Sequence, residues 1–250
     1  MLERFSKQKK KTVNMKIVAI SDLHNRFPKN MPKGDILTVS GDLCFARRHD
    51  MIEQKHHLVN FINWCNMLLE DKTYLDVVFI PGNHDGILED MMLRKEEDGF
   101  RKTLPSHIHY LRDSMVDING IKFYGISWTL PFCDWFFNIE EGPLDEVCKQ
   151  IPAGVDVILS HGPAYGLNDR LGQPFDRWAP TKLGSNALLK HLKRVKPSYL
   201  LVGHIHSGDH KPIELVHENQ VIKSVNVSIL SEDYQINYKP FQFEINKKAK

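Results

Sequence analysis

Val77-Val78-Phe79-Ile80-Pro81-Gly82-Asn83-His84-Asp85 decides how this chain is read. Four consecutive β-favouring apolar residues run into a turn that carries an amide, an imidazole and a carboxylate. An uninterrupted apolar run of this kind marks a strand buried on both faces, as in a mostly parallel sheet. The same pattern recurs four times. Ile17–Ile20 leads to Asp22-Leu23-His24, Ile36–Val39 to Gly41-Asp42, Val157–Leu159 to Ser160-His161-Gly162, and Leu200–Val202 to Gly203-His204-Ile205-His206. Open α/β sheets bind ligands beyond the carboxyl ends of their strands. The five loops are therefore expected to leave one edge of a sheet and converge, bringing together Asp22, Asp42, Asp85, Asn83 and the histidines at 24, 84, 161, 204 and 206. Such a set has the makings of a metal centre.

Ligand chemistry sharpens this expectation. Mixed carboxylate and imidazole donors suit Mn²⁺, Fe, Co²⁺ or Zn²⁺ better than Mg²⁺, which prefers oxygen and water. In Asp22-x-His24 the alternation of an extended segment puts both side chains on one side, where they can bind a single ion. His204-x-His206 repeats that spacing, with each imidazole free to serve a different ion. Asp42 has two carboxylate oxygens and is the natural bridge between two ions. Asn83 adds a neutral amide oxygen.

The rest of the chain frames these motifs. Its 250 residues, 42% hydrophobic and 26% charged, suit one globular domain with a sizeable core. A net charge of +2 gives no sign of a dedicated nucleic-acid surface. The four cysteines at 44, 65, 133 and 148 are scattered like reduced thiols rather than a disulfide framework. No apolar run has the length of a membrane span and the N-terminus lacks a signal-peptide core, so a cytoplasmic location is expected. Residues 1–14, rich in lysine, read as a basic, disordered tail, 15–246 as the single domain, and 247–250 as a basic C-terminal tail.

An apolar stripe of Leu58, Phe61, Ile62, Cys65, Leu68 and Leu69 predicts a crossover helix over 57–70. A second is expected over 186–195, ending before Pro197. Further strands are expected at 122–126, 221–229 and 241–245. His49, His56, His57, His107, His109 and His191 are assigned to helix or loop surfaces. In the aromatic segment 128–137, Trp128 and Phe132 either pack under the loop or stack on a nucleobase.

Taken together, the motifs D-x-H, G-D, G-N-H-D, S-H and G-H-x-H resemble those of the calcineurin-like metallophosphoesterases, over most of the chain from Lys16 to about Ile245. Phe61–Trp64, the Trp128–Asn138 segment, His161-Gly162-Pro163 and Asn226-Val227-Ser228 are similar to the small metallophosphoesterase-domain proteins that include cyclic nucleotide phosphodiesterases. Ala164, where a second proline is usual, and Arg47-Arg48, where a glycine is more familiar, depart from that pattern.

The resemblance implies an α/β fold, a two-sheet sandwich flanked by helices, and two divalent ions, Mn²⁺ first among them. One ion would be held by Asp22, His24, Asp42 and His206, the other by Asp42, Asn83, His161 and His204. His84 would be the catalytic histidine, oriented by Asp85. Arg47, Trp128 and Phe132 are the candidates for substrate contact. The implied activity is hydrolysis of a small phosphodiester, above all a cyclic nucleotide, by a metal-bridging hydroxide with His84 assisting the leaving group. A nuclease, a phosphomonoesterase and a non-catalytic scaffold on the same fold are the alternatives.

Overall fold

In a computed structural model, which describes residues 12–45, 50–173 and 182–248, the strands are β1 (Thr12–Ile20), β2 (Ile36–Ser40), β3 (Asp76–Ile80), β4 (Ile108–Tyr110), β5 (Ser114–Ile118), β6 (Ile121–Ile126), β7 (Val157–Ser160), β8 (Tyr199–Val202), β9 (Ile213–His217), β10 (Gln220–Asn226) and β11 (Phe241–Lys248). The helices are α1 (Met51–Glu70), α2 (Gly86–Leu93), α3 (Glu97–Thr103), α4 (Glu141–Lys149) and α5 (Asn186–Val195). One sheet has the order β11-β1-β2-β3-β4 and the other β5-β6-β7-β8-β10-β9. Strands β1 to β4 are parallel, as are β6, β7, β8 and β10, while β11, β5 and β9 add antiparallel edges.

The five motif strands therefore divide between two sheets, β1 to β3 in one and β7 and β8 in the other, instead of lining the edge of one. Each is apolar on both faces because both are covered. Ile17, Ala19, Val78 and Ile80 meet Val157, Leu159 and Leu201 between the sheets. On the outer face of the first sheet, Val18, Ile20, Val77 and Phe79 pack on Leu58, Phe61, Cys65 and Leu68 of α1. On the outer face of the second, Ile158, Leu200 and Val202 pack on Leu144 of α4 and Leu188 and Leu192 of α5. Full burial of one such side chain contributes about 1.5–3 kcal/mol, so both sheets are fixed strongly in their helix–sheet–sheet–helix order.

Local signals set the helix limits. Asp50 accepts a hydrogen bond from the Glu53 N–H, and α1 starts six residues before the start expected from the apolar stripe. Its added turn carries Gln54, buried and accepting from the Ile87 N–H at the start of α2. Ser185 Oγ caps α5 on the Leu188 N–H, and Lys196, in the left-handed region at φ 56°, ends it before Pro197.

At the chain ends the domain is longer than expected. Thr12 to Asn14 pair with Lys248 to Asn246, extending β1 against β11. Residues 12–14 and 247–248 belong to the sheet because the two ends pair their backbones, whatever their polar side chains suggest. Lys247 also makes an ion pair with Asp156. The remainder of the expected tails, 1–11 and 249–250, lies outside the described residues. Two histidines assigned to surfaces are buried: His57, on the inner side of α1, and His191, whose Nε2 lies 3.0 Å from an Asp145 oxygen. Among the described residues no helix is long and apolar enough to cross a membrane.

Candidate metal centre

Where the carboxyl ends of the two sheets meet, Ser40 Oγ donates to Leu201 O at 3.2 Å and Ser21 Oγ to Ser40 O at 3.0 Å. The chain must turn sharply there. Asp22, His24, Asp42 and His204 all adopt positive φ, between 43° and 71°. Left-handed backbone at a non-glycine residue costs about 1–3 kcal/mol, so strain is accepted in the turns that bring these four side chains together. Two glycines make the close approach feasible. A Cβ on Gly41, itself at φ 97°, would lie 2.4 Å from His161 Nδ1, and one on Gly82 would lie 2.3 Å from Asp42 Oδ1.

Asp42 stands between two groups of donors. Its Oδ1 lies 3.2 Å from His161 Nε2, and its Oδ2 lies 3.6 Å from His24 Nε2. On the first side, Asn83 Oδ1 is 2.9 Å from His161 Nε2 and 2.7 Å from His204 Nδ1. On the second, His206 Nε2 is 3.3 Å from Asp22 Oδ1 and 3.2 Å from His24 Nε2. The donor atoms of Asp22, His24 and His206 all fall within 4.8 Å of one another, as do those of Asp22, Asp42 and His161, and of His24, Asp42 and His84. All seven residues expected as ligands thus reach one cluster.

The ring orientations fit cations. His24, His161 and His206 direct Nδ1 at the carbonyls of Cys44, Ser40 and Ser231, at 3.2, 2.8 and 3.2 Å. An Nδ1–H donated outward leaves the Nε2 lone pair facing inward, which is how outer partners orient a metal-binding imidazole. With both rings neutral, the facing nitrogens of His24 and His206 would repel as two lone pairs, a conflict that a proton on His206 or a metal cation held between them removes. Burial alone would raise Asp22 and Asp42, but His206 beside the first and His161 beside the second hold both below the usual carboxylate range. Burial opposes a proton on His161 and His206 as well, yet Asp42 and Asp22 push these two imidazoles up to about 9. Burial takes His24 down to about 3 and His204 to about 4. The cluster thus attracts positive charge while keeping two imidazoles free as neutral donors.

His84 lies beside this group, with Nε2 4.0 Å from Asp42 Oδ2 and Nδ1 buried without a hydrogen-bond partner. Burial lowers its pKa, partly offset by the charge of Asp42. Asp85 does not orient it, contrary to expectation. The Asp85 carboxylate turns away and accepts the backbone N–H groups of Gly82, Leu43 and Cys44 at 2.7, 3.2 and 2.8 Å. It ties the loop after β2 to the loop after β3 and so sets Asp42 against Asn83. Burial and the charge of Asp42 raise its pKa to about 7. The rings against His84 are Trp135, at 4.3 Å between centroids, and His24, edge-on at 4.8 Å.

The aromatic segment divides its roles. Trp128 is a packing residue: its indole N–H donates to Asp113 Oδ2 at 2.9 Å and its ring meets Phe137. Phe132 is 59% exposed and lies edge-on to His204 at 6.0 Å, open to a substrate. The Phe136 N–H donates to the Asn83 carbonyl, strapping the segment onto the metal-site loop. Sequence reasoning passed over Trp135, and also Tyr234 and Phe45. Tyr234 lies 4.9 Å from the His24 ring and 4.8 Å from Phe45. The clue for Trp135 was its place in the segment already singled out; Tyr234 and Phe45 sit in loops with no pattern. Asn226, in the Asn226-Val227-Ser228 stretch, donates to Ile205 O at 2.7 Å and braces the last histidine loop. The expected substrate contact Arg47 lies outside the described residues.

The profile of the calcineurin-like phosphoesterases matches residues 15–208. Human metallophosphoesterase domain-containing protein 1 is 30% identical over 243 residues, covering 88% of this chain and 68% of the human protein. A UPF0046 protein of Caenorhabditis elegans, T07D4.2, is 28% identical over 86% of this chain, which spans only 55% of that protein's length. The crystal structure of TT1561 of Thermus thermophilus covers 87% of this chain and 92% of its own, with a TM-score of 0.55 at 12% identity, a likeness of fold.

Proposed function

The chain belongs to the calcineurin-like phosphoesterase family of metal-dependent phosphoesterases, and on that premise we propose that it is a dinuclear phosphodiesterase acting on small phosphodiesters, cyclic nucleotides first among them. The observation that carries this reading is Asp42, whose two oxygens face two different sets of imidazoles. Asp22, His24 and His206 would hold one divalent ion with Asp42, and Asn83, His161 and His204 the other; Mn²⁺ is the proposed metal. Such ions, when bound, supply Lewis-acid activation of water and neutralise charge on the phosphoryl oxygens.

The chain's own residues do the rest. Asp22 and Asp42 fix the charge of the site, and outward Nδ1–H bonds fix the rings of His24, His161 and His206. His84 stands at the edge of the cluster against Trp135; burial disfavours a proton on its ring, and the charge of Asp42, like that of an arriving phosphodiester, favours one. Protonated beside the bound phosphate, His84 donates a ring N–H to a phosphoryl or leaving oxygen and passes that proton to the leaving oxygen as negative charge builds there, ending as the neutral imidazole. Help of this kind is typically worth about 10²–10⁴-fold. Around the site the described rim is aromatic, with Phe45, Phe132, Trp135 and Tyr234. Aromatic faces suit a nucleobase, since base stacking is worth about 1–3 kcal/mol. A diester with one negative charge needs fewer fixed cations than a polynucleotide, in line with the chain's near-neutral charge.

A substrate panel with the Mn²⁺-loaded protein tests this. Bis-p-nitrophenyl phosphate and 2′,3′- or 3′,5′-cyclic AMP should turn over faster than p-nitrophenyl phosphate or duplex DNA. Cleavage of DNA with no turnover of cyclic nucleotide would make it a nuclease, and turnover of the monoester alone a phosphomonoesterase.

A further inference from the structure

Beside His204 lies a recessed, partly open cavity of about 90 Å³. Its floor is made of buried Ile126, Leu144 and Leu188, and its mouth of Phe132 and Leu183, which are 59% and 38% exposed. No Lys, Arg, Asp or Glu side chain lines it among the described residues. The hydroxyls in its wall are already engaged. Ser160 Oγ donates to Gly162 O at 2.7 Å, Thr129 Oγ1 to Asn138 Oδ1 at 2.9 Å, and Ser185 Oγ to Glu141 Oε2 at 2.7 Å. The Trp128 N–H is likewise spent on Asp113. His204 is the one lining residue that also reaches the metal cluster, through Asn83.

A nucleobase is too large for this space, and the few polar atoms of its wall would leave most of its ring nitrogens and exocyclic groups unpaired, which is costly when buried. An apolar group meets no such penalty. With about 30 Å³ for each water of liquid volume, the cavity displaces about three waters and takes about three or four carbon atoms. We propose that it is the subsite for the non-reacting ester arm of a second class of substrate: open-chain phosphodiesters whose retained arm is a short, uncharged alkyl chain. The proposal rests on the phosphodiesterase reading. It distinguishes two positions around the reacting phosphorus that meet at Phe132: an aromatic rim for flat groups and a recessed, mostly apolar slot next to His204 for a compact one.

The test uses p-nitrophenyl phosphodiesters whose second ester is methyl, propyl, butyl or octyl, with the full chain loaded with Mn²⁺. Each buried methylene is worth roughly fourfold, so kcat/KM should rise roughly fifteenfold from methyl to propyl and level off beyond butyl. Leu183→Trp, which fills the mouth, should flatten that rise, lowering the propyl-to-methyl ratio toward one. A second readout needs neither metal nor turnover. Butylphosphonate added to the metal-free protein should shift the NMR methyl signals of Ile126, Leu144 and Leu188, whereas methylphosphonate should not. A working enzyme with kcat/KM indifferent to chain length, or still climbing at octyl, overturns the subsite, as do unmoved cavity methyls. If no diester is hydrolysed, the phosphodiesterase reading fails, and the methyl signals still decide whether the cavity takes the alkyl arm.

Discussion

Replacing Asp42 by Asn keeps the shape of the side chain and removes one negative charge from the middle of the cluster. The consequence for cation binding can be sized from His161, buried beside it. Burial opposes a proton on that imidazole, yet Asp42, with smaller help from Asp22 and the Ser40 carbonyl, raises it from 6.5 to about 9. For a single positive charge this corresponds to about 3 kcal/mol. A divalent ion in the same position is attracted at least as strongly, so Asp42→Asn should weaken each ion it touches by roughly 100-fold or more. The distinguishing feature is that both ions are affected, because the two oxygens face different donor sets. His24→Ala should weaken one ion and leave the other near its normal affinity. Equilibrium dialysis against buffered Mn²⁺ with elemental analysis gives both affinities, and circular dichroism checks that the fold is retained. Two ions held at wild-type affinity by the Asp42→Asn protein would refute the shared-carboxylate arrangement.

Other outcomes follow from the same geometry. His84→Asn should keep both ions and lower kcat, with a smaller loss on p-nitrophenyl esters than on alkyl esters, whose leaving oxygens need a proton more; equal losses would assign His84 to holding phosphate only. Gly82→Ala should cost roughly 100-fold in kcat, since its Cβ would lie 2.3 Å from Asp42 Oδ1 and displace the carboxylate; steady-state kinetics check this. The folded pKa values of His161 and His206, about 9, exceed the unfolded value of 6.5, so the stability they contribute is complete below about pH 6.5 and is lost as pH rises through 9. Thermal melts of metal-free protein should therefore fall between pH 7 and 9.5, and a melt that stays level would contradict the charges assigned to these rings.

The parts of the fold legible in the sequence were those fixed by burial on two faces. The runs 17–20, 36–39, 77–80, 157–159 and 200–202 are strands because sheet and helix cover both sides of each. Which sheet each belonged to was not legible, since an apolar run looks the same in either. Helix α4 escaped notice because only Leu144 and Cys148 are buried along it. Three-residue β4 has too little length for a pattern. In the site, side chains adjacent to strand ends were placed by the turn itself, so Asp22, His24, Asp42, Asn83, His161, His204 and His206 could be grouped from their order alone. The error at Asp85 has a physical cause. A carboxylate next to a histidine suggests a pair, but burial among the Gly82, Leu43 and Cys44 amides turns it toward the backbone. Trp135 and Tyr234 reach the site through loops, where sequence position carries little spatial information.

The central claim is a two-ion site on this chain that hydrolyses phosphodiesters, and a metal titration tests it most directly. Metal-free protein would be titrated with Mn²⁺ while bound metal and the rate of bis-p-nitrophenyl phosphate hydrolysis are followed together. Binding should end at two ions per chain, with most of the activity arriving with the second equivalent. Saturation at one ion, or two bound ions with no hydrolysis under Mn²⁺, Co²⁺, Zn²⁺ or Fe²⁺, would contradict it.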